Sequence, residues 1–277
     1  MEERYHFTLS DELLEKAVKE LHEPRDDEGR WEAIDKLRES YDSEKYGPLI
    51  RSDDAFLLRF LRAKKFSQEK SLNMLQNYHK VQKQYKDVFV KVSNPALIRP
   101  IVEQGALLML DGNTKQGACC LFYRTGLLDP NADPWDLTAY GIMCMEKMLE
   151  NEQYQICGME IIEDFADFSL TLLAKMSTSV SKMKGAMQDA MPCRIRGIHI
   201  LNEGTVFDLL MAIARPFMRK KILDRIHVYG AKYELMHKHI SPAILPPYLG
   251  GTGPEPSVLS EKWIDILTEE MTQDTPL

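Results

Sequence analysis

The sequence is short of nearly everything that marks a metal protein, an enzyme or a membrane span. Its five cysteines (Cys119, Cys120, Cys144, Cys157, Cys193) are odd in number and show no C-x-x-C spacing, so neither a zinc site nor a disulfide framework is expected. Four of them lie in apolar or alternating stretches, as buried free thiols do, which predicts a reducing compartment. There is no G-x-S-x-G elbow, no H-E-x-x-H, no G-x-x-x-x-G-K-[ST] loop and no G-x-G-x-x-G after a strand. Gly250-Gly251-Thr252-Gly253 follows a proline-rich loop and opens no phosphate-binding helix, so it is set aside as a nucleotide site. No apolar run approaches the roughly 18 residues that a helix needs to cross a bilayer. The start, MEERYHFTLSDELLEKA, lacks the basic and apolar parts of a signal peptide, Glu2 excludes N-myristoylation, and DTPL is no prenylation box. The expectation is a cytoplasmic protein that is not an enzyme, with no cofactor and no metal.

What is present is an ordinary globular composition, 44% hydrophobic, with an uneven charge distribution. The net charge of -7 by itself disfavours nucleic acid and anionic membranes as partners. Residues 194–225 nevertheless hold seven Lys/Arg against three acids, and residues 53–91 hold nine against four. An acidic protein with two basic patches can meet an anionic surface through one face only. Such runs are also common on merely solvated faces.

Organisation changes once along the chain. Residues 1–95 read as a helical domain: Ser10 caps DELLEKAVKEL, WEAIDKLRESY is a second helix, and Ser52 or Asp53 caps a third. That third helix carries Phe56, Leu57, Phe60 and Leu61 on one stripe, and Ser67 caps a longer one. From 96 to 255 short apolar strands alternate with helices: ALLMLD and ACCLFYR around GNTKQG, then CGMEIIED, IRGIHILNE and RIHVYG. That alternation predicts an α/β domain with a mainly parallel sheet. Residues 256–277 form a terminal helix and tail. Glu163 and Asp164 end a strand, yet as paired carboxylates without a base or metal they are weak catalytic evidence. His199 alternates with apolar neighbours and reads as a hydrogen-bonded structural histidine; His237 and His239 read as surface or capping residues.

The segment NEGTVFDLLMAIARPFMRKKILDR (202–225) has two readings. Apart from Asp208, every residue from Val206 to Ala214 is apolar, and a single helix is predicted over 205–221. At about 1.5 Å per residue the apolar part covers about 14 Å, too short to span a membrane. It is either a buried core helix or a lid with one face on a cavity and the other toward a membrane. The second half of the chain is also rich in methionine (among others Met143, Met183, Met187), a residue that suits a cavity for a flexible hydrophobic ligand and suits core filling equally well.

Five segments, DDAFLLRFLRAKKF, LENEQYQICGMEIIEDF, MPCRIRGIHILNE, RPFMRKKILDRIHVYG and ILPPYLGG, resemble the CRAL-TRIO lipid-binding family in order and spacing, from about residue 8 to 251. Within it the likeness points to the branch of the α-tocopherol transfer protein, the retinaldehyde-binding protein and the clavesins. The resemblance implies an N-terminal helical bundle, then an α/β lipid cage closed by a helical gate over 204–221, with Val206, Phe207, Leu209, Leu210, Ile213 and Phe217 as gate residues. It implies Arg59, Arg194, Arg196, Lys221 and Arg225 as contacts to phosphatidylinositol phosphates on an anionic membrane surface. Pocket candidates are Tyr123, Tyr140, Met143, Glu163, Phe165, Met183 and Met187. The implied function is transfer of one small hydrophobic lipid, tocopherol- or retinoid-like, by a cytoplasmic protein that docks reversibly on membranes, endosomal ones included. The alternative is a lipid-sensing module that moves no cargo. Two departures are visible: Pro192-Cys193-Arg194 lacks the glutamate that phosphatidylinositol exchangers use, and the tyrosine that meets retinal falls on Gly141, with Tyr140 one residue away. Asp167 stands where the family often has glycine, a position whose left-handed backbone Asp tolerates.

Overall fold

A computed structural model describes residues 4–269 except Ser177. Side chains that accept from the first helical turn start two N-terminal helices as expected, Ser10 for Asp11–Leu21 and Asp53 for Asp54–Ala63, the latter accepting from the Phe56 amide, whereas Ser67 precedes Gln68–Gln84 without a side-chain cap bond. Helices Asp27–Glu39, Ser43–Tyr46, Gln68–Gln84 and Lys86–Ser93 follow in that region. Helix Asp54–Ala63 departs from the single stripe read in its sequence. Every residue from Phe56 to Arg62 is buried, because the helix sits between the other helices and the sheet-bearing half. Its two arginines tolerate this only as ion pairs: Arg59 with Glu146 at 2.9 Å, and Arg62 with Glu23 at 2.7 Å and Glu152 at 2.8 Å.

Five strands form one sheet in the order β1-β2-β3-β4-β5, with β1 Leu107–Asn113, β2 Cys119–Arg124, β3 Met159–Asp164, β4 Ile195–Leu201 and β5 Ile226–Val228. The first pair is antiparallel, a hairpin as predicted, and the other three pairs are parallel. Parallel register places Leu121 beside Ile161 and Tyr123 beside Glu163, and sets Ile161 beside Ile198 on β4. Side chains alternate across a strand, so these residues share one face. Helix Pro134–Met148, capped by Asp133, and helix Thr178–Ala190 lie over that face. Asp164 and His199 belong to the other face. Asp164 accepts from Asn202 at 2.7 Å and from the Ala166 amide at 3.0 Å, closing the turn in which Asp167 is left-handed (φ 57°), so it forms no carboxylate pair with Glu163. His199 bonds Glu160 at 3.1 Å and the Tyr229 hydroxyl at 3.0 Å, as a structural histidine.

The helix predicted over 205–221 is broken. Helix Gly204–Ala214 ends in a short 3-10 turn, Arg215–Phe217, and helix Lys220–Leu223 starts separately. Pro216 removes the amide that would bond the Ala212 carbonyl, and Met218 then turns extended (φ -90°, ψ 137°). Gln188 pins the turn to helix Thr178–Ala190, accepting from the Arg219 amide at 2.8 Å and donating to the Phe217 carbonyl at 3.2 Å. Glycine is required where the chain after β5 folds back: a Cβ on Gly251 would stand 2.0 Å from the Leu245 carbonyl oxygen. That close approach, and no phosphate, accounts for the glycine-rich segment.

Candidate functional site

The covered face of the sheet encloses two connected chambers. The larger, of about 750 Å³, lies between Leu121, Tyr123, Ile161 and Glu163 of the sheet and Ile142, Met145 and Met187 of the covering helices. The smaller, of about 230 Å³, lies under helix Gly204–Ala214 and is walled by Phe165, Phe168, Leu172, Phe207, Leu210, Met211 and Phe217. Tyr123, Leu137, Glu163, Lys184 and Gln188 line both and mark the junction.

Helix Gly204–Ala214 is a cover and no core element. Among its described side chains only Phe207 is buried, while Leu209 is 54% exposed and Asp208 and Ala212 also face outward. Phe207, Leu210, Met211 and Ala214, at spacings of three and four, line the cavity. Phe207 meets Phe165 edge-on at 5.3 Å. Ile213 is half-buried, and the side chain of Val206 lies outside the described residues.

Of the seven pocket candidates, Tyr123, Glu163, Phe165 and Met187 line the chambers. Tyr140, Met143 and Met183 do not; they are buried in the main core. The Tyr140 hydroxyl donates to the Leu107 carbonyl at 3.0 Å, which turns the ring away from the cavity. Its neighbour Gly141 faces the cavity instead, and a Cβ there would meet nothing within 4 Å. The hydroxyl that the register of the sequence left open is therefore absent, and space stands in its place.

The larger chamber opens through a basic rim. Arg194, Arg196, Lys221 and Arg225 all line it, joined by Arg219, one of the seven basic residues counted over 194–225, and by Lys64 and Lys65, which the sequence reading did not single out. Left-handed Lys65 and Phe66 (φ 55° and 56°) end helix Asp54–Ala63 and swing that pair of lysines to the opening. Arg196 donates to the Cys157 carbonyl at 2.8 Å, Arg194 to that of Ile156 and Arg225 to that of Ile195, so their guanidinium groups are held in place. Burial, then the charge of Arg196, lowers the Arg194 pKa to about 10. Burial also lowers that of Lys221, helped by Arg225, Lys64, Arg194 and Lys65. Cations that depress one another in this way form a field an anion would relieve. Two carboxylates already partly do so: Glu20 lies 3.3 Å from Arg196 and 3.8 Å from Arg194, and Asp189 pairs with Arg219. Arg59 is not part of the rim. It is 4% exposed and committed to Glu146, which also accepts from Tyr78 at 3.0 Å.

Lys184 is the other cation missed in the sequence. It belongs to the stripe Val180, Lys184, Met187, Met191, and a lysine on an otherwise apolar stripe was the available signal. It is an exposed side chain that lines both chambers together with Glu163. Burial lowers the Lys184 pKa and raises that of Glu163, and their mutual attraction offsets only part of either shift.

Comparison with known proteins agrees with this geometry. Residues 10–77 match the CRAL/TRIO N-terminal domain and residues 103–251 the CRAL/TRIO domain. The chain is 32% identical to a Mus musculus protein called alpha-tocopherol transfer protein-like, over 96% of this chain and 77% of that one. It is 30% identical to Rattus norvegicus clavesin-2, over 89% and 76%. With Xenopus laevis clavesin-1 it shares 29%, over 90% and 75%. A helical N-terminal region, a five-stranded mostly parallel sheet and a family match spanning more than half its length place this chain in the CRAL-TRIO family.

Proposed function

We propose that the protein carries one small hydrophobic lipid, tocopherol- or retinoid-like, in the two chambers, and exchanges it at membranes that contain phosphoinositides. The observation that carries this reading is the arrangement of an apolar cavity, a cover helix with an exposed outer face, and a basic rim at the opening. The name of the mouse relative supports the choice of lipid class. No helix among the described residues is long and apolar enough to cross a membrane, so the contact with the bilayer would be peripheral. Within this proposal the location is the cytoplasm, with reversible docking on endosomal and other anionic membranes.

The cargo is retained by burial, at about 25 cal/mol per Å² of apolar area removed from water. Arg194, Arg196, Lys221 and Arg225 grip the phosphorylated headgroup, with Lys64, Lys65 and Arg219 around them; guanidinium forks suit bidentate phosphate contact. Leu209 presses into the headgroup zone while Phe207 and Leu210 hold the cargo side. Each basic residue near an anionic surface contributes on the order of 1 kcal/mol. Replacing Lys221 and Arg225 together by Ala should therefore weaken binding to phosphoinositide vesicles by about 2 kcal/mol, roughly thirtyfold. Ligand affinity in solution should hardly change. Equal loss of vesicle binding and ligand affinity would remove the docking role. Lipid extracted from the purified protein identifies the cargo, and a cargo that never moves between vesicles would favour the lipid-sensing alternative.

A further inference from the structure

Lys184 is the one cation among the cavity-lining residues that stands away from the rim, where the two chambers join. Docking on an anionic surface does not use it, and retention of a lipid by burial does not need it. It shares the lining of both chambers with Tyr123, Leu137, Glu163 and Gln188, and its ammonium loses hydration when an apolar cargo fills that space. Burial is the dominant influence on both partners and acts in the same sense: Lys184 is driven toward the free amine and Glu163 toward the carboxylic acid. A free amine in an apolar cavity is a nucleophile, and a carboxylic acid beside it is a proton donor. Helix Thr178–Ala190 gives the amine a firm base, since Gly185, the next residue, is packed so tightly that a Cβ there would meet the Phe217 carbonyl oxygen at 2.7 Å.

We propose that Lys184 is a covalent, reversible anchor for a long-chain aldehyde, with Glu163 as its acid–base partner. The proposal rests on the carrier reading above and narrows it to a cargo class. The Lys184 Nζ lone pair attacks the carbonyl carbon, a C–N bond forms, and the C=O π pair moves to oxygen, which gains the proton that nitrogen loses. The C–O bond of this carbinolamine then breaks. Its hydroxyl leaves as water with the proton of the Glu163 carboxyl, and the nitrogen lone pair closes the C=N bond. The products are a protonated imine, one water and the Glu163 carboxylate, which stays as counter-ion; no oxidant or reductant is consumed. A carboxylate cargo would instead bring a second acid beside Glu163, and an alcohol would leave the nucleophile unused. Hydrolysis needs the water back, and the cover helix controls its entry, so release is tied to opening.

The test uses the full chain with hexadecanal and cyanoborohydride at neutral pH, read by intact mass and peptide mapping, with hexadecanol binding measured in parallel. The expected result is a single reduced hexadecyl adduct on Lys184. It should be lost in Lys184→Arg and Lys184→Met, retained in Lys182→Met, and formed about tenfold more slowly or worse in Glu163→Gln. Aldehyde retained in native mass spectra but never trapped on Lys184, or adducts spread over exposed lysines and unchanged in Lys184→Met, would overturn the imine and leave carriage standing. A folded wild-type chain that retains neither hexadecanal nor hexadecanol would overturn both. Mapping of the wild-type adduct is decisive even where a Lys184 variant does not fold.

Discussion

At the scale of single residues, the rim is governed by a small number of charges that already have partners. Glu20, on helix Asp11–Leu21, sits against Arg194 and Arg196, which under the proposed docking would take a phosphate. Burial by itself would raise its pKa, but the Arg196 hydrogen bond and the charges of Lys16, Arg196 and Arg194 lower it. Because Glu20 is 37% exposed and Arg196 32%, the worth of the pair is screened. Glu20→Gln should tighten binding to phosphoinositide vesicles by about two- to threefold at low salt, an effect that fades as salt is added. Two histidines make a separate prediction. Burial lowers the pKa of His79, with Lys83 adding to it, and that of His227, with His199 and His239 adding to it. A histidine with a lowered folded pKa takes up its proton more readily in the unfolded chain. Stability should thus be complete above about pH 6.5, the ordinary value, and fall as pH drops below it. His79→Phe should flatten thermal stability between about pH 7 and 5. No flattening would mean that His79 is not one of the groups responsible. Gly141 gives a third prediction. It lies inside a helix and faces space, so Gly141→Ala should stabilise the empty protein by about 1 kcal/mol in denaturant unfolding. Gly141→Phe should lower the affinity for bulky cargo far more than for slender cargo.

At the scale of elements, the cover helix shows what periodicity can and cannot decide. Composition predicted a helix over 205–221 with an apolar part at 206–214, and the spacing of Phe207, Leu210, Met211 and Ala214 places one face on the cavity. Nothing in a stretch that is apolar all round distinguishes a cover from a core helix; the exposure of Leu209 settles it. Leu209→Asp should reduce transfer to vesicles while leaving cargo affinity within about twofold, since an outward-facing side chain contributes little to folding. A comparable loss of both would show that Leu209 packs inward. The strands were legible because short apolar runs between turn signals are specific, and Glu163 was legible as a strand end. Tyr140 and Met143 were misplaced for a concrete reason. On helix Pro134–Met148 both the cavity and the main core are apolar, so hydropathy does not tell which face a given residue takes. Lys64 and Lys65 escaped because they reach the rim through a turn, where sequence carries no periodic signal.

At the scale of the whole molecule, the helical and sheet-bearing halves share one continuous hydrophobic core that runs from Ile34 to Leu267. The polar counterpart of that core is Arg62, fully buried, bonded to Glu23 and to Gln155 at 2.9 Å and paired with Glu152. Burial opposes the charge of Arg62, yet its carboxylate partners raise its pKa. Arg62→Ala leaves Glu152 without its cation and Glu23 with only the longer pair to Arg30 at 3.7 Å, and should cost about 3–5 kcal/mol, read as a lowered denaturant midpoint of a single transition. A smaller loss would mean that water replaces the guanidinium. This network could not be read from sequence, since its members come from three distant segments and only the fold brings them together.

The break at Pro216 has a consequence for the order of events under the carrier reading. The apolar cover and the segment bearing Lys221 and Arg225 are separate bodies, with the turn between them held to Gln188. Capture at the bilayer and passage of the cargo are then two kinetic steps with different sensitivities. Ionic strength sets how often the protein arrives, and the fluidity of the lipid sets how fast the cargo leaves, so either rate can be changed while the other is held constant.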